Sequence, residues 1–431
     1  MTVAELGFHE SIGSSARRAA FSTVVGNALE WFDFSCYAFF ATLISRKFFP
    51  SGDATTALLG AFAVFGLGLV ARPLGAVLFG RLGDSKGRKV ALLIAMPMMG
   101  LSTIALGLLP TYSQIGIAAP FILLLCRLLQ GFSAGGEVGN AIAFLIEWSP
   151  HNKRAFYSSL QQASAVTGTL LGSLMAASLT TLMASDSLES WGWRLPFLFG
   201  GLVVAPLGYY LRSKVDETPA FVKNEHHASI EPKRPVESIW LLGAKTVGVS
   251  TAWVVCFYVF MIYAPSFLTR HGHIPKSLAL WMNTAGLLTE VVFILIASTI
   301  ADILGRKPLL LFASFVFLVF AFPLFHLYVN SENTSLIFCA VVASGAMVGV
   351  FAGTVPATMA EMFPTSSRTT GMSIGFGIST AIFGGFASLI SETLVRYTGS
   401  ELSPSFFVIL ATLITISVVL TIKETAHSAL R

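Results

Sequence analysis

Gly80-Arg81-Leu82-Gly83-Asp84-Ser85-Lys86-Gly87-Arg88-Lys89 follows one apolar run, and Asp302-Ile303-Leu304-Gly305-Arg306-Lys307 follows another, with the shared Asp-x-x-Gly-Arg-Lys offset by 218 residues. A second pair keeps nearly the same offset. Glu147-x-x-Pro150-x-x-x-Arg154 recurs as Glu361-x-x-Pro364-x-x-x-Arg368, 214 residues on. Two motifs repeated in the same order at almost one spacing mark an internal duplication, in which both halves fold alike.

The residues between these motifs are strongly apolar. Of 431 residues, 54% are hydrophobic and 11% charged, whereas a soluble domain carries about 25% charged residues. Too few charges remain to cover a water-facing surface. The apolar residues fall in blocks of roughly twenty, the length a helix needs to cross about 30 Å of hydrocarbon. The predicted spans are 19–43, 56–79, 89–109, 119–146, 155–182, 194–212, 241–268, 279–300, 308–328, 335–361, 371–394 and 404–422. The stretch before them, up to Arg18, is polar, and the first block is long enough to span rather than to be cleaved as a secretory signal. Ser213 to Glu237 is the longest polar segment, broken by Pro219, Pro232 and Pro235, and it divides the spans six and six. The expected architecture is an all-α membrane protein with a six-helix bundle over 1–212, a central loop over 213–238 and a second six-helix bundle over 239–431.

Charge placement sets the expected orientation. One set of alternate loops holds Arg17, Arg18, Arg81, Lys86, Arg88, Lys89, Lys153, Arg154, the Arg212–Arg234 stretch, Arg306, Lys307, Arg368 and Lys423. The opposite set holds only Arg46, Lys47, Arg194, Arg270, Lys276 and Arg396. Basic loops stay in the cytoplasm, so both termini are expected there, in a bacterial cytoplasmic membrane. The net charge of +5 therefore reads as topology and not as nucleic-acid binding. Cys36, Cys126, Cys256 and Cys339 lie in apolar spans without paired spacing and read as small hydrophobes. His226 and His227 lack a third ligand, so no metal is expected, and no cofactor either. No loop is long enough for a catalytic domain, and no nucleotide-binding Gly-Lys-Ser or Gly-Lys-Thr is present, which argues against an enzyme or an ATP-driven pump.

Ionisable groups at bilayer depth cost about 3 to more than 10 kcal/mol and normally face a partner or a wet cavity. Asn27, Glu30, Asp33 and Tyr37 fall within about 120° on one helix face. Arg127, Gln130, Ser133 and Glu137 repeat the same spacing in the fourth span, and the two stripes are expected to face each other across a cavity. Arg127 offers a planar donor fork suited to a carboxylate. Glu30, Asp33 and Glu137 are carboxyls in a poorly hydrated setting, suited to proton uptake and release. Asn27, Gln161 and Gln162 would supply neutral hydrogen bonds to a solute, and Tyr258, Tyr263, Asn283 and Glu290 in the second half are weaker candidates. Gly131 and Gly135 form a Gly-x-x-x-Gly surface for close helix contact.

The Gly80–Lys89 loop closely resembles the signature loop of the major facilitator superfamily. Further strings resemble its metabolite:proton symporter branch: Gly26-Asn27-Ala28-Leu29-Glu30-Trp31-Phe32-Asp33-Phe34, Arg72-Pro73-Leu74-Gly75, Arg127 through Glu137, Trp191-Gly192-Trp193-Arg194-Leu195-Pro196, Asp216-Glu217-Thr218-Pro219, and Thr380 through Gly385. The resemblance covers nearly the whole chain. It implies alternating access and proton symport of a solute such as citrate or another di- or tricarboxylate, 2-oxoglutarate, shikimate, an aromatic acid, proline or betaine. Arg127 favours a small organic anion over a zwitterion, with citrate the nearest guess, and so does the lack of the coiled-coil tail of the branch's osmosensing members. The resemblance also implies a gating latch of Asp84, Arg88, Glu147 and Arg154, with Asp302, Arg306, Glu361 and Arg368 as its twin. The expected partners are the solute, a proton and the lipid bilayer, and the expected state is a monomer.

Overall fold

The computed structural model describes residues 24–25, 27–28, 30–50, 52–86, 88–135, 137–147, 149–150, 152–213, 238–364 and 368–426. Residues 214–237 of the expected central loop lie outside this set, as do the side chains of Asp84, Arg88, Glu137 and Glu147.

The described residues form twelve spans and no strand. We number them α1 (residues 30–39, continuing past a turn as Ala41–Phe48), α2 (Ala54–Val70 and Arg72–Lys86), α3 (Arg88–Leu108), α4 (Ala118–Ala134 and Glu137–Glu147), α5 (Arg154–Leu182), α6 (Leu195–Ser213), α7 (Ile239–Arg270), α8 (Lys276–Leu304), α9 (Arg306–Asn330), α10 (Thr334–Met362), α11 (Arg368–Thr398, with a break at Gly385–Phe386) and α12 (Pro404–Thr421). Among the described residues, eight helices are by themselves long and apolar enough to cross a membrane. Most helices outrun their predicted ends. The helix predicted over 279–300 is observed as Lys276–Leu304, because hydropathy sees only the hydrocarbon core while backbone bonding continues into the headgroup layer. Large apolar side chains such as Leu74, Leu101, Ile303 and Phe315 cover the outside, and Cys339 is exposed among them while the other three cysteines are buried.

Glycine lets helices meet backbone to backbone, and the duplication shows in where this happens. In the first half α2 packs on α4: a Cβ on Gly131 would stand 1.7 Å from the Gly68 carbonyl oxygen, and one on Gly135 1.9 Å from that of Arg72. In the second half α8 packs on α10, where a Cβ on Gly345 would stand 2.1 Å from the Gly286 oxygen. The neighbour at Gly131 is backbone, so the helices themselves must move to admit a methyl group. Gly131→Ala is expected to cost about 1–3 kcal/mol or more and to lower the unfolding temperature in detergent. An unchanged melting curve would show that this seam is not tight.

The halves meet along two seams. On α5 and α8, Ser173 Oγ lies 2.9 Å from Thr284 Oγ1 and accepts from Asn283 Nδ2 at 3.3 Å. On α2 and α11, Gly66 and Gly385 approach closely enough that a Cβ on either would press the other's carbonyl oxygen. Polar ties close the end opposite the basic loops as well. Arg396 pairs with Asp53 at 3.3 Å and Arg270 Nη2 donates to Thr55 Oγ1 at 2.8 Å.

Candidate functional site

The α1 and α4 stripes touch directly, with Gln130 as the hub. Its Nε2 donates to Asp33 Oδ2 at 2.6 Å and contacts Thr103 Oγ1 at 2.8 Å, while its Oε1 accepts from Arg127 Nη1 at 2.8 Å. Thr103 Oγ1, carried in by α3, lies 2.8 Å from the same Asp33 oxygen. The other oxygen, Asp33 Oδ1, has no hydrogen-bond partner among the described residues, and neither do Arg127 Nε and Nη2. The Arg127 guanidinium lies 3.8 Å from the Tyr37 ring centroid, which turns a buried cation toward a π face. Asp33 and Arg127 are therefore joined through Gln130.

This geometry corrects one expectation. The stripes do not face each other across a cavity. Asp33 and Arg127 are 2% and 1% exposed, packed inside the first half, and neither lines the cavities found between the halves at this depth. Arg72 stands closer to that interface. It pairs with Glu30 at 3.4 Å, covers the Trp31 ring at 5.0 Å and lines an inter-half cavity. Arg72 lies in the Arg72-Pro73-Leu74-Gly75 string, to which the sequence assigns no role, and an arginine inside an apolar span is itself the signal.

The neutral candidates sort by position. Asn27 Nδ2 donates to Gln161 O at 3.0 Å and Ser164 Oγ at 2.8 Å, and Gln162 Nε2 donates to Gln161 Oε1 at 2.7 Å, so this set ties α1 to α5. Asn283 joins the α5–α8 seam described above. Gln162 and Tyr258 line a second inter-half cavity, together with Glu290. A further cluster went unnoticed in the sequence. Tyr263 Oη donates to Glu392 Oε2 at 2.6 Å, and Glu392 also meets Arg270 at 3.5 Å and His271 at 3.4 Å. A glutamate within the apolar run of α11 was the available signal.

At the basic end the two halves are latched. Asp302, at the end of α8, accepts from the backbone N–H groups of Ala155 and Phe156 at 2.9 and 3.0 Å, placing its charge on the α5 N-terminus. Arg306 donates to Asp302 and Glu361, both at 3.0 Å, and Arg154 reaches Glu361 at 4.0 Å. Arg154, expected beside Asp84, Arg88 and Glu147, thus also contacts the opposite half's set. Arg368 Nε donates to the Ala360 carbonyl at 3.0 Å, tying α11 to α10.

Glu424 caps α9, accepting from Arg306 N at 3.0 Å and Lys307 N at 2.8 Å. Burial pushes its carboxyl up, but backbone N–H donors outweigh this and hold it below its ordinary range. The stabilisation is therefore present above the unfolded value of about 4.3 and is lost as pH falls through the lower folded value. Glu424→Gln should cost about 0.5 kcal/mol or less near neutral pH, since the site is largely exposed. The gap between variant and parent melting temperatures should close below about pH 4. A gap that does not vary with pH would rule out the charge as its cause.

The family model described as sugar (and other) transporter matches this chain twice, over residues 19–240 and 223–431. The chain belongs to this family, within the major facilitator superfamily. It is 32% identical over 429 residues to the proline/betaine transporter of Salmonella typhimurium, covering 96% of this chain and 85% of that one. It is 31% identical over 386 residues to the citrate-proton symporter of Klebsiella pneumoniae, covering 89% and 86%. Its fold matches the proton:xylose symporter bound to 6-bromo-6-deoxy-D-glucose with a TM-score of 0.79 at 16% identity, covering 97% and 98%. This major facilitator chain is thus a multi-pass membrane transporter and not an enzyme. The transporter's halves are drawn together at both ends. A vestibule of about 590 Å³, lined by Arg46, Glu189, Arg270 and Lys276 among others, remains at the end opposite the basic loops.

Proposed function

We propose that this transporter is a proton-coupled symporter that carries a small carboxylate-bearing solute across a bacterial cytoplasmic membrane by alternating access, with the basic loops and both termini on the cytoplasmic side. The observation that carries the reading is the Asp33–Gln130–Arg127 chain, a carboxylate and a guanidinium joined by one amide inside the bilayer. A proton on Asp33 removes the charge that Arg127 balances and rearranges the helices this chain binds together. Glu30 and Glu137 are the further candidates for carrying the proton. Arg72, on the interface, paired with Glu30 at 3.4 Å and resting on the Trp31 and Phe34 rings, is better placed than Arg127 to meet a solute carboxylate. Gln162 and Tyr258 face the same interface. Asp302, Arg306, Glu361 and Arg154 act as the cytoplasmic gate, together with Asp84, Arg88, Glu147 and Arg368.

Relatives named for proline/betaine and for citrate-proton transport support a carboxylate-bearing solute in either form, organic anion or zwitterion. Uptake into proteoliposomes of labelled citrate, 2-oxoglutarate, shikimate, proline and betaine, with and without an inward proton gradient, tests the reading. Accumulation of at least one solute should require the gradient. Indifference to the gradient for every solute defeats symport.

A further inference from the structure

Glu290 is fully buried on α8, and neither of its oxygens has a hydrogen-bond partner among the described residues. Three neighbouring polar atoms share that condition: Trp31 Nε1, Tyr258 Oη and Thr380 Oγ1. All four residues line one cavity between the halves. A carboxyl, hydroxyl or N–H buried without a partner loses its hydration and gains nothing in return, so each such group is costly to keep. Chance packing does not gather four such groups on one spot. Tyr258 and Thr380 each open a π-helical turn, in α7 and α11, an irregularity that clusters at functional sites.

The other walls are aromatic. Trp31 meets Phe257 edge to face at 5.9 Å across the two halves, and Trp253 stacks on Phe376 at 5.3 Å. Ring faces carry negative potential and attract cations. Together with Glu290 they repel a second carboxylate and favour a positive group. Rings accept hydrogen bonds poorly, so a primary ammonium, with three donors to satisfy, suits this lining less well than an alkylated nitrogen with few donors or none. A second cavity lies alongside, sharing Phe376 and Thr380 as walls, and it is lined by Arg72, whose Nε has no hydrogen-bond partner among the described residues. Each cavity has about 20 Å³, room for one water, so a solute reaches these surfaces as the halves part.

We propose that Glu290 and its aromatic walls seat the alkylated ammonium of a zwitterionic solute whose carboxylate pairs with Arg72. This rests on the transport reading above and specifies its solute, favouring the zwitterion over the citrate-like anion.

Thermal unfolding of the purified full chain in detergent, titrated with glycine betaine, L-proline, citrate and 3,3-dimethylbutanoate, is the test. The last probe keeps the shape and carboxylate of betaine but replaces nitrogen with carbon. Betaine and proline should raise the melting temperature as ligands that bind the folded state, while citrate and the isostere, which lacks the cationic nitrogen, should not. Glu290→Gln should weaken betaine at least about tenfold, and Glu290→Asp should recover part of the loss. Stabilisation by citrate but not by betaine, equal stabilisation by betaine and its isostere, or no shift with either zwitterion would each overturn the proposal. The isostere comparison needs no variant, so it stands even if a substituted chain misfolds. Binding of betaine through Glu290 without gradient-driven uptake would keep this assignment and remove symport. Gradient-driven uptake of citrate without betaine binding would do the reverse.

Discussion

Asp33→Asn should abolish proton-driven accumulation while leaving solute exchange intact. Asparagine matches aspartate in shape, and its amide oxygen can take the place of Oδ2, which lies 2.6 Å from Gln130 Nε2 and 2.8 Å from Thr103 Oγ1. The amide NH₂ would then occupy the Oδ1 position, where no partner competes. Packing of α1, α3 and α4 is preserved, and only the exchangeable proton is lost. A one-proton symporter working against a pH difference of two units can concentrate a neutral complex about 100-fold, because each unit is worth about 1.4 kcal/mol. The variant should equilibrate at a ratio near one. Counterflow, in which labelled solute enters against unlabelled solute already inside, requires no net proton movement and should continue. Gradient-dependent accumulation above equilibrium in Asp33→Asn would move the coupling site elsewhere, with Glu30 or Glu137 next to test. Loss of both accumulation and counterflow would instead show that the amide disrupts the Gln130 hub.

The membrane fold was legible in the sequence because it depends on local quantities. Apolar block length places a helix in lipid whatever its neighbours do, and the repeated Asp-x-x-Gly-Arg-Lys spacing exposes the duplication without any knowledge of contacts. The polar faces of α1 and α4 were legible for the same reason, since a period of three to four puts polar residues on one face and lipid forbids that face from turning outward, but the direct contact of Gln130 with Asp33 stands where a cavity was expected. What each stripe meets was not legible. Arg127 and Arg72 are both single arginines in apolar runs, and which of them lies near the interface depends on how α4 seats against α2. The glycines at 131 and 135 draw α4 so close that the Arg127 backbone oxygen lies 3.1 Å from where a Cβ of Gly68 would stand, which turns the guanidinium onto Tyr37 inside the first half. The Glu392 cluster joins residues more than 120 positions apart, and the isolation of Glu290 consists in what fails to reach it. Neither leaves a trace in spacing.

Removal of Arg306 should loosen the basic end. Its guanidinium, 2% exposed, holds Asp302 and Glu361 at 3.0 Å each and donates to the Ala301 carbonyl at 2.8 Å. Arg306→Met keeps much of the stem's volume but leaves Glu361, among the described residues, facing the 4.0 Å contact from Arg154 and a hydrogen bond from Thr425. Breaking a buried pair from one side costs about 3–5 kcal/mol, because the stranded charge remains. Asp302 keeps its two α5 amides, so the cost falls mainly on Glu361. The same principle says that removing both partners is far milder, so Arg306→Met with Glu361→Leu should regain most of the lost melting temperature. Opening and stability should also separate. If the cluster holds the closed form, losing about 3 kcal/mol raises the open population more than 100-fold. A cysteine at Ser158, now fully buried one turn into α5, should then react with a water-soluble maleimide far faster in Arg306→Met than in the parent. A large fall in melting temperature with no change in labelling would make the cluster a structural staple, and the gate would have to be sought elsewhere.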